Sequence, residues 1–325
     1  MTDPTSTPSV SSVPAGAVRQ PLVSVLMNCY NGEKYLREAV ESVIAQTHAN
    51  WELIFWDNQS KDRSAEMIHS YADLRIRYFR APRHTNLAPA RRLAVEQSCG
   101  DYICFLDCDD SYLPENLATK VAWMERTQAA AAYGGVIYID EQSIERRRRL
   151  PEVRNGVIFE FLLRQFDADI STLVVSRAAI QRLGINFSDD IVGSTEYDLL
   201  MQVAATERCV TIPEYLARLR HHRGSLTYSL IGDWASDRNR TLRRVRERVP
   251  GIEITYVAAF AEAYARADYY HARWLVEVGR RPDALACLRS IVGAGWRYLA
   301  VYCALRISTG CWHFVHRHLP SSRQL

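Results

Sequence analysis

The sequence lacks a large excess of charge of either sign and a long apolar run. It has 40 Lys and Arg residues against 37 Asp and Glu, which gives a net charge of +3. A chain so close to neutral has no global attraction for polyanions, so we expect no nucleic acid partner. The longest uncharged part of the last apolar segment, Tyr298–Leu305, is far shorter than the roughly 20 residues needed to cross a bilayer.

Zinc-type cysteine pairs and a secretory leader are also missing. The eight cysteines are scattered and none forms a Cys-x-x-Cys pair, which argues against structural zinc and for reduced thiols in a cytoplasmic protein. Residues 1–20 are rich in Ser, Thr, Pro and Ala and have neither a basic start nor an apolar core, so we predict a disordered tail. We predict one large domain over residues 21–230 and a helical region over residues 231–325.

From Pro21 onward, short apolar runs alternate with amphipathic stretches, as in the strand–helix units of an α/β protein with a mostly parallel sheet. The predicted strands are Val23–Asn28, Trp51–Asp57, Ile76–Arg80 and Tyr102–Asp107. The predicted helices are Glu33–Gln46, Asp62–Tyr71, Leu87–Gln97 and Pro114–Thr127. After Ala131 the pattern weakens. Its interpretable parts are an apolar run at Tyr133–Ile139, a solvated loop at Arg146–Arg149, a helix at Glu196–Thr206 and a strand at Tyr215–Arg220.

Three carboxylates directly follow the fourth predicted strand. The apolar run from Tyr102 to Leu106 ends in Asp107, Asp109 and Asp110. Ligands of open parallel sheets collect beyond the carboxyl ends of the strands. Two carboxylates separated by one residue can bind one hard cation such as Mg²⁺ or Mn²⁺. The alternative is that these side chains accept hydrogen bonds from N–H groups in a turn or a helix cap.

Polar side chains follow the other predicted strands as well, so one rim of the sheet would collect them. Asp57 comes directly after the second strand, where its carboxylate could accept a hydrogen bond from a base or a ribose. Arg91 would lie about a turn into the third helix, within reach of diphosphate oxygens. The alternative for Arg91 is a solvated helix residue, and for the loop after Asp57 it is a set of Asx turns with a helix cap.

Four segments together resemble the motifs of the family 2 glycosyltransferases, which are inverting enzymes with the nucleotide-sugar-binding GT-A fold. The segments are Val23–Glu33, Trp56–Asp62, Ala90–Arg91 and Phe105–Asp110. The resemblance extends from Pro21 to Tyr228. It implies a mostly parallel central sheet flanked by helices, with nucleotide-sugar binding in residues 21–130 and the acceptor side in residues 131–230. The helical extension after Ile231 has no counterpart in the resemblance.

The resemblance also implies which residues hold the donor and a metal ion. The implied donor-binding residues are Cys29, Tyr30, Asn31, Asp57, Asn58, Arg91, Asp107 and Cys108. The implied ligands of a divalent cation, Mn²⁺ or Mg²⁺, are Asp107, Asp109 and His222, with Arg220 as a neighbour. A surface histidine in a basic loop is the alternative for His222.

The segment Ser194–Leu200 resembles the acidic motif that begins a helix in the family and supplies the catalytic base. Thr195 occupies the place of a usual first carboxylate, so the resemblance assigns the base to Glu196. Asp198 is the alternative base, and either carboxylate could instead compensate the helix dipole. Two further departures from the family pattern are Ala88 in place of a glycine and Arg92 in place of an asparagine.

The function implied is inverting, metal-dependent transfer of a sugar from a nucleotide-diphosphate sugar, with a UDP-sugar as the expected donor. The implied acceptor is a hydroxyl of a glycan or a lipid-linked molecule in cell-surface polysaccharide synthesis. A catalytically inactive nucleotide-sugar-binding scaffold is one alternative, although both Asp107 and Asp109 are present. A nucleotidyltransferase is another, although Asn28–Gly32 is not the Gly-rich basic loop usual in such enzymes.

The C-terminal stretch from Trp296 to Leu319 mixes aromatic residues with arginines. Basic helices with interfacial aromatic residues can rest on a membrane surface. This stretch therefore predicts peripheral contact with the inner face of the membrane. The alternative is a helix packed on the catalytic domain or across a homodimer.

Overall fold

The apolar runs predicted as strands form the centre of a mixed sheet in the computed structural model, which describes residues 20–222, 224–226 and 230–318. The predicted tail, apart from Gln20, lies outside the described residues, and so do Arg223 and the predicted end of the resemblance at Tyr228. In the described residues no helix is both long and apolar enough to cross a membrane.

The first part of the chain alternates strands and helices as predicted. Its elements are β1 (Val23–Cys29), α1 (Glu33–Ile44), β2 (Trp51–Asp57), α2 (Ser64–His69), β3 (Ile76–Arg80), α3 (Leu87–Gln97) and β4 (Tyr102–Phe105). Strands β1, β2 and β4 are buried almost throughout because helices cover both faces of the sheet. Helix α1 buries the predicted apolar face through Leu36, Ala39, Val40 and Val43.

The next part adds shorter elements and a long last strand. They are β5 (Ser111–Tyr112), α4 (Asn116–Thr127), β6 (Ala131–Ile139), β7 (Glu145–Arg149), β8 (Asn155–Gly156), α5 (Phe159–Arg164), a 3₁₀ turn (Ile170–Thr172), β9 (Val174–Ser176), α6 (Arg177–Leu183), α7 (Thr195–Ala204) and β10 (Cys209–Arg220).

The strand order across the sheet is β3-β2-β1-β4-β9-β6-β10-β5, with β7 paired to β6 and β8 to β10. Strands β3, β2, β1 and β4 are mutually parallel, and β6 is parallel to β10. Strand β9 lies antiparallel between β4 and β6 and joins these two parallel groups. The sheet is therefore mostly parallel and flanked by helices, which confirms the predicted fold class.

The prediction of a solvated loop at Arg146–Arg149 is wrong, because these arginines form strand β7. The strand pairs antiparallel with β6, with Arg147 opposite Tyr138 and Arg149 opposite Val136. Charged residues are common on edge strands, where one side of the backbone is paired and the side chains still reach water. The run of arginines indicated exposure correctly but not the backbone pairing.

After residue 230, the part of the chain that the structure describes forms six helices in two packed groups. They are α8 (Trp234–Arg248), α9 (Ile252–Thr255), α10 (Val257–Glu277), α11 (Arg281–Ile291), α12 (Trp296–Ile307) and α13 (Thr309–His318). Leu242, Val245 and Phe260 from α8 and α10 share one core with Leu199 and Leu200 of α7. A separate apolar cluster joins the second half of α10 to α11, α12 and α13. Helices α8 and α10 thus pack directly on the sheet domain, and the predicted boundary at residue 230 stays a prediction.

Candidate active site

The parallel register brings the predicted polar residues to one rim of the sheet. Cys29 at the end of β1 lies opposite Asp57 at the end of β2, and Leu26 lies opposite Phe105, two residues before Asp107. Parallel strands all end at the same edge, so residues far apart in sequence meet there. The rim therefore collects the ends of β1 and β2 together with the loop after β4.

An acid cluster of Asp107, Asp109 and Asp110 lies at the centre of this rim. One carboxylate oxygen from each residue lies within 4.8 Å of the others. Burial, followed by repulsion from Asp107, raises the pKa of Asp109. Burial and repulsion from both neighbours raise the pKa of Asp110 well above its usual range. This crowding of oxygen ligands is relieved by a cation, so the donor set fits a hard divalent ion.

The three carboxylates differ in how free they are to bind a cation. Asp110 is buried, and it accepts hydrogen bonds from the Ser171 hydroxyl at 2.7 Å and the Arg220 backbone N–H at 2.9 Å. The side chains of Asp107 and Asp109 remain 37% and 27% exposed. These two residues are therefore the ones that could hold a metal ion, while Asp110 fixes the loop to β10.

His222 lies beside the acid cluster, as the resemblance implies. Its Nε2 is 2.9 Å from Oδ2 of Asp109, and its Nδ1 accepts a hydrogen bond from the Gly224 N–H at 3.2 Å. Because Nδ1 is the acceptor, Nε2 carries the proton and donates to Asp109. His222 could bind a metal ion only after Nε2 gives up that proton, with Asp109 as the neighbouring ligand.

The Arg220 side chain is buried and has a structural role. Its guanidinium is almost fully buried and donates to the backbone oxygens of Asp109 and Asp140 and to a carboxylate oxygen of Glu38. It also lies over the Tyr35 ring, 4.4 Å from the centroid. Arg220 therefore holds the acid-cluster loop against α1. Glu38 could not be singled out from the sequence, because it is one of several charged residues on α1.

The loop after β1 is held by hydrogen bonds from the loop after β2. Asn31 adopts a left-handed backbone conformation with φ of 55°, and its side chain accepts from the Lys61 N–H at 2.8 Å. Tyr30 is 47% exposed, and its ring centroid lies 4.3 Å from that of His84. Tyr30 is the residue of this loop with an aromatic face open to a ligand.

Cys29 and Cys108 bring their thiols together beneath this loop. A side-chain hydrogen bond between them lowers the pKa of Cys29 and raises that of Cys108. A Cβ on Gly32 would lie 2.7 Å and 2.8 Å from the two sulfur atoms, so only glycine fits there. Both cysteines thus pack beneath the site and connect the first loop to the acid cluster.

Asp57 and Asn58 are turned toward the protein. Asp57 is fully buried and accepts from the Ser60 N–H and the Tyr78 hydroxyl, each at 2.6 Å. The Asn58 side chain donates to the Thr85 carbonyl and accepts from the Thr85 N–H. The Asx turn that is the alternative for this loop is present at Asp62, whose carboxylate accepts from the Ser64 N–H at 3.0 Å. Donor binding by the two side chains stays a prediction.

Arg91 links the acid cluster to the start of α7. It is almost fully buried on α3, where its Nη2 donates to Asp107 at 2.7 Å and its Nη1 donates to the Thr195 hydroxyl. Thr195 begins α7, so the position where the family usually has a carboxylate here accepts a hydrogen bond from an arginine. The alternative of a solvated helix residue is wrong for Arg91, because its guanidinium is held inside the protein. Arg92, next to it, pairs with Asp189 and Glu96 instead.

Glu196 and Asp198 occupy different environments at the start of α7. Asp198 is buried and accepts from Thr241, Arg244 and Gln202. Glu196 remains partly exposed, and within the described residues its carboxylate accepts only a long 3.5 Å bond from Thr195. Burial raises the pKa of Glu196, and the nearby Arg91 charge partly offsets that shift. Of the two carboxylates, Glu196 is the one available to a ligand.

One residue that the sequence did not single out fixes the start of α7. The buried carboxylate of Asp237 on α8 accepts from three successive backbone N–H groups, those of Val192, Gly193 and Ser194. Its sequence context is an Arg-rich helix, which contains no signal for this role. The contact exists only because α8 packs on α7.

Residues 24–186 match the model of the family described as "Glycosyl transferase family 2". The chain belongs to this family. Among curated family relatives, the Escherichia coli UDP-Glc:alpha-D-GlcNAc-diphosphoundecaprenol beta-1,3-glucosyltransferase WfgD is 28% identical over 182 residues, which are 56% of this chain and 69% of WfgD. The matched part spans about two thirds of the length of such relatives.

Solved structures of glycosyltransferases share the fold along most of the chain. Residues 1–349 of S. aureus TarS in complex with UDP-GlcNAc superpose with a TM-score of 0.64 at 15% identity, covering 93% of this chain and 91% of that TarS chain. The mannosyltransferase PcManGT from Pyrobaculum calidifontis, in complex with GDP-Man and Mn²⁺, gives 0.58 at 17% identity, with coverage of 92% and 86%. At this identity the likeness establishes the GT-A fold.

Proposed function

We propose that this glycosyltransferase moves a sugar from a UDP-sugar to an acceptor hydroxyl with inversion at the anomeric carbon. The observation that carries the proposal is the arrangement of two kinds of carboxylate around Arg91. Asp107 and Asp109 are crowded and partly exposed on one side, and Glu196 is partly exposed and nearly free of hydrogen bonds on the other. UDP is favoured because WfgD is named for UDP-Glc and TarS was solved with UDP-GlcNAc.

The roles follow from charge and position. Tyr30 offers its exposed ring to the base, while Cys29, Asn31, Asp57, Asn58 and Cys108 shape the two loops that line the donor. Asp107, Asp109 and His222 would hold Mn²⁺ or Mg²⁺. When bound, such an ion neutralises charge that develops on the departing diphosphate. The buried guanidinium of Arg91 adds a fixed positive charge on the same side of the site.

Glu196 is the proposed base that takes the proton from the acceptor hydroxyl. Its raised pKa makes it a better proton acceptor than an ordinary carboxylate, and the nearby Arg91 charge favours its ionised form. Attack by that hydroxyl on the face opposite the diphosphate forms the new glycosidic bond as the bond to the diphosphate breaks. Asp198 is not proposed as the base, because Thr241, Gln202 and Arg244 already occupy its oxygens.

The acceptor is proposed to carry phosphate, as a lipid-linked glycan does. Within the described residues, ion pairs join Arg146, Arg148 and Arg149 to Asp140, Glu145 and Asp169. Arg147 instead lies over the Tyr138 ring, 5.6 Å from its centroid, and the His221 ring meets the same tyrosine at 5.1 Å. Arg147 is thus a cation on β7 whose charge is open to an anionic acceptor.

A metal-dependent donor screen tests the proposal. The purified protein is incubated with Mn²⁺ or Mg²⁺ and a panel of UDP-, GDP- and dTDP-sugars, and release of nucleoside diphosphate is followed with and without acceptors. We expect metal-dependent release from a UDP-sugar, with an inverted anomeric configuration in the product. Release of pyrophosphate would indicate a nucleotidyltransferase, and nucleotide binding without release would indicate a scaffold; either result overturns the proposal.

A further inference from the structure

The last two helices carry an exposed apolar surface that the proposed chemistry does not use. Trp296 and Leu299 on α12 are 64% and 49% exposed, Ile307 at its end is 73% exposed, and Phe314 on α13 is 66% exposed. Monomeric proteins rarely leave several large apolar side chains exposed side by side, so such surfaces mark contact sites. We name Trp296, Leu299, Ile307 and Phe314 the C-terminal patch.

The three patch residues on α12 belong to one apolar stripe along that helix. At about 100° per residue, Trp296, Leu299, Ala300, Cys303 and Ile307 fall within about 100° of one another around the helix. The opposite face of α12 is buried against α10 and α11 through Val301 and Leu305. The helix is therefore already anchored to the protein, and the stripe faces outward.

An apolar groove of about 410 Å³ opens along the same surface between α12 and α13. It is lined by residues of both helices, including Ala300, Ile307, Gly310, Phe314 and Val315. A groove with apolar walls suits a hydrocarbon chain rather than a polar ligand. The patch and the groove together form one surface that favours an apolar partner.

The segment that carries the patch contributes only positive charge to this surface. Residues 284–325 contain five arginines and no aspartate or glutamate. Arg297 and Arg306 are both exposed and, at about 100° per residue, fall on the two edges of the apolar stripe of α12. An apolar stripe between arginines matches the boundary between acyl chains and anionic headgroups.

We propose that the C-terminal patch docks on the surface of an anionic lipid bilayer. Trp296, Leu299, Ile307 and Phe314 enter the boundary between headgroups and acyl chains, and Arg297 and Arg306 contact lipid phosphates. A second copy of the chain fits this surface less well. A two-fold contact through the patch would bring the same arginines of both copies together, and like charges repel.

Sedimentation with vesicles tests the docking directly. The full chain is mixed with vesicles of phosphatidylcholine alone or of phosphatidylcholine with phosphatidylglycerol, at low and high salt. We expect binding to the anionic vesicles only, with the bound fraction falling at high salt because the headgroup attraction is screened. Equal binding to both vesicle types, or no binding to either, would overturn the proposal.

Matched variants distinguish vesicle binding through the C-terminal patch from nonspecific binding by exposed apolar side chains. Leu299→Glu with Phe314→Glu places charges in the stripe, and Ile254→Glu with Val257→Glu places the same charges at apolar sites outside it that are 81% and 63% exposed. The first pair should reduce vesicle binding about tenfold and the second pair should not. All four sites are exposed, so each variant should retain the thermal unfolding curve of the parent. Equal vesicle binding by the two pairs would refute the assignment.

Sedimentation velocity without lipid gives the remaining discriminating result. If the parent is a dimer and the patch variant a monomer, while both bind vesicles equally, the patch is a protein interface and the proposal is wrong. None of these measurements requires turnover. A failure of docking therefore leaves the proposed sugar transfer untouched, and an inactive enzyme that still binds vesicles leaves the docking intact.

Discussion

Glu196 and Asp198 stand two residues apart on α7, and their side chains point to different sides of the helix. Asp198 faces α8, where Thr241 and Arg244 hold its carboxylate. Glu196 faces the rim that holds the acid cluster. A carboxylate is thus a structural anchor at one position and an available proton acceptor at the other, because the neighbouring side chains differ.

Replacing Glu196 with Gln should remove turnover and preserve donor binding. A positioned base contributes about 10² to 10⁴ in rate, so transfer should fall by that factor while the affinity for UDP changes little. Initial rates and calorimetric UDP titration measure the two effects. Glu247→Gln, which changes an exposed carboxylate on α8, is the matched control. A Glu196→Gln enzyme with parental activity would exclude Glu196 as the base.

The pH dependence of the transfer rate should reflect the ionisation of Glu196. Burial raises the pKa of Glu196 above its ordinary value, so the base is lost by protonation as the pH falls through that raised pKa. The acidic limb of the kcat profile should therefore lie above pH 4.5 in the parent. In Glu196→Gln this limb should vanish from the residual rate. An unchanged limb in the variant would assign the titration to another group.

Lys120 on α4 is a fully buried cation beneath the acid-cluster loop. Its ammonium donates to the Ser171 carbonyl at 3.3 Å, and burial lowers its pKa to about 8. Between pH 8 and the ordinary value of 10.5, the unfolded chain binds more protons than the folded one. The free energy of unfolding contributed by Lys120 should therefore rise with pH across this window, by about 3 kcal/mol in total.

Urea unfolding of the parent and of Lys120→Met at several pH values between 8 and 10.5 measures this contribution. The difference between the two proteins isolates Lys120 from the tyrosines and cysteines that titrate in the same range. The parent should gain stability relative to the variant as the pH rises. Parallel curves would mean that Lys120 keeps an ordinary pKa in the folded state.

At the scale of elements, the start of α7 depends on α8. Asp237 accepts three backbone N–H groups from the segment that leads into α7, and this segment positions Thr195 and Glu196. An unpaired N–H inside a protein is costly, so a single carboxylate orders the whole turn. The proposed base is thus positioned by a helix that follows it in sequence by some forty residues.

Asp237→Asn should destabilise the protein and impair transfer together. An amide has one acceptor oxygen and adds an N–H donor that faces other donors, so we expect a loss of about 1–3 kcal/mol in the free energy of unfolding. Denaturant unfolding and initial rates measure the two effects. Asp283→Asn, at an exposed carboxylate on α11, should change neither. A stable but inactive Asp237→Asn enzyme would point to a direct role in the reaction.

Elements with a strong pattern of apolar residues could be predicted from the sequence. Short elements that form only by pairing with distant strands could not. Strand β2 has the predicted bounds because a buried parallel strand leaves a mostly apolar run, and the half-buried edge strand β3 has its predicted bounds as well. Strands β5, β8 and β9 are two or three residues long and exist through pairing with distant strands. In the site, the sequence identified Asp107, Asp109 and Glu196 by motif. It could not identify Asp237 or Lys120, whose roles arise only after helices pack.

At the scale of the whole molecule, the helices after residue 230 fall into two groups: some contribute to the main hydrophobic core and others to a separate cluster. Phe260 and Ala259 on α10 belong to the main core together with residues of α7, whereas Val301 and Leu305 on α12 belong to the separate C-terminal cluster. Burial of apolar area is the largest favourable contribution to folding. Removing helices that bury part of the main core should therefore cost more stability than removing helices that bury only the C-terminal cluster.

A chain that ends at Val249 should fail to fold, because it removes Phe260 and exposes the core around α7. A chain that ends at Gly295 should fold with reduced stability, because it loses only α12 and α13, two of the helices of the C-terminal cluster. Circular dichroism and thermal unfolding distinguish the two cases. Cooperative unfolding of the shorter chain would show that α10 is dispensable for the sheet domain.

The hydrogen-bond partners of the Asp110 carboxylate are synthesised well after Asp110 itself. Its two partners, Ser171 and Arg220, follow it by 61 and 110 residues. At about 5–20 residues per second, translation reaches Arg220 roughly 5–20 s after Asp110. During that interval β1 to β4 can already pair, since all four precede the acid cluster. The nascent chain therefore carries the paired strands β1 to β4 while Asp110 still faces water, and the Asp110 carboxylate is covered only when β10 emerges.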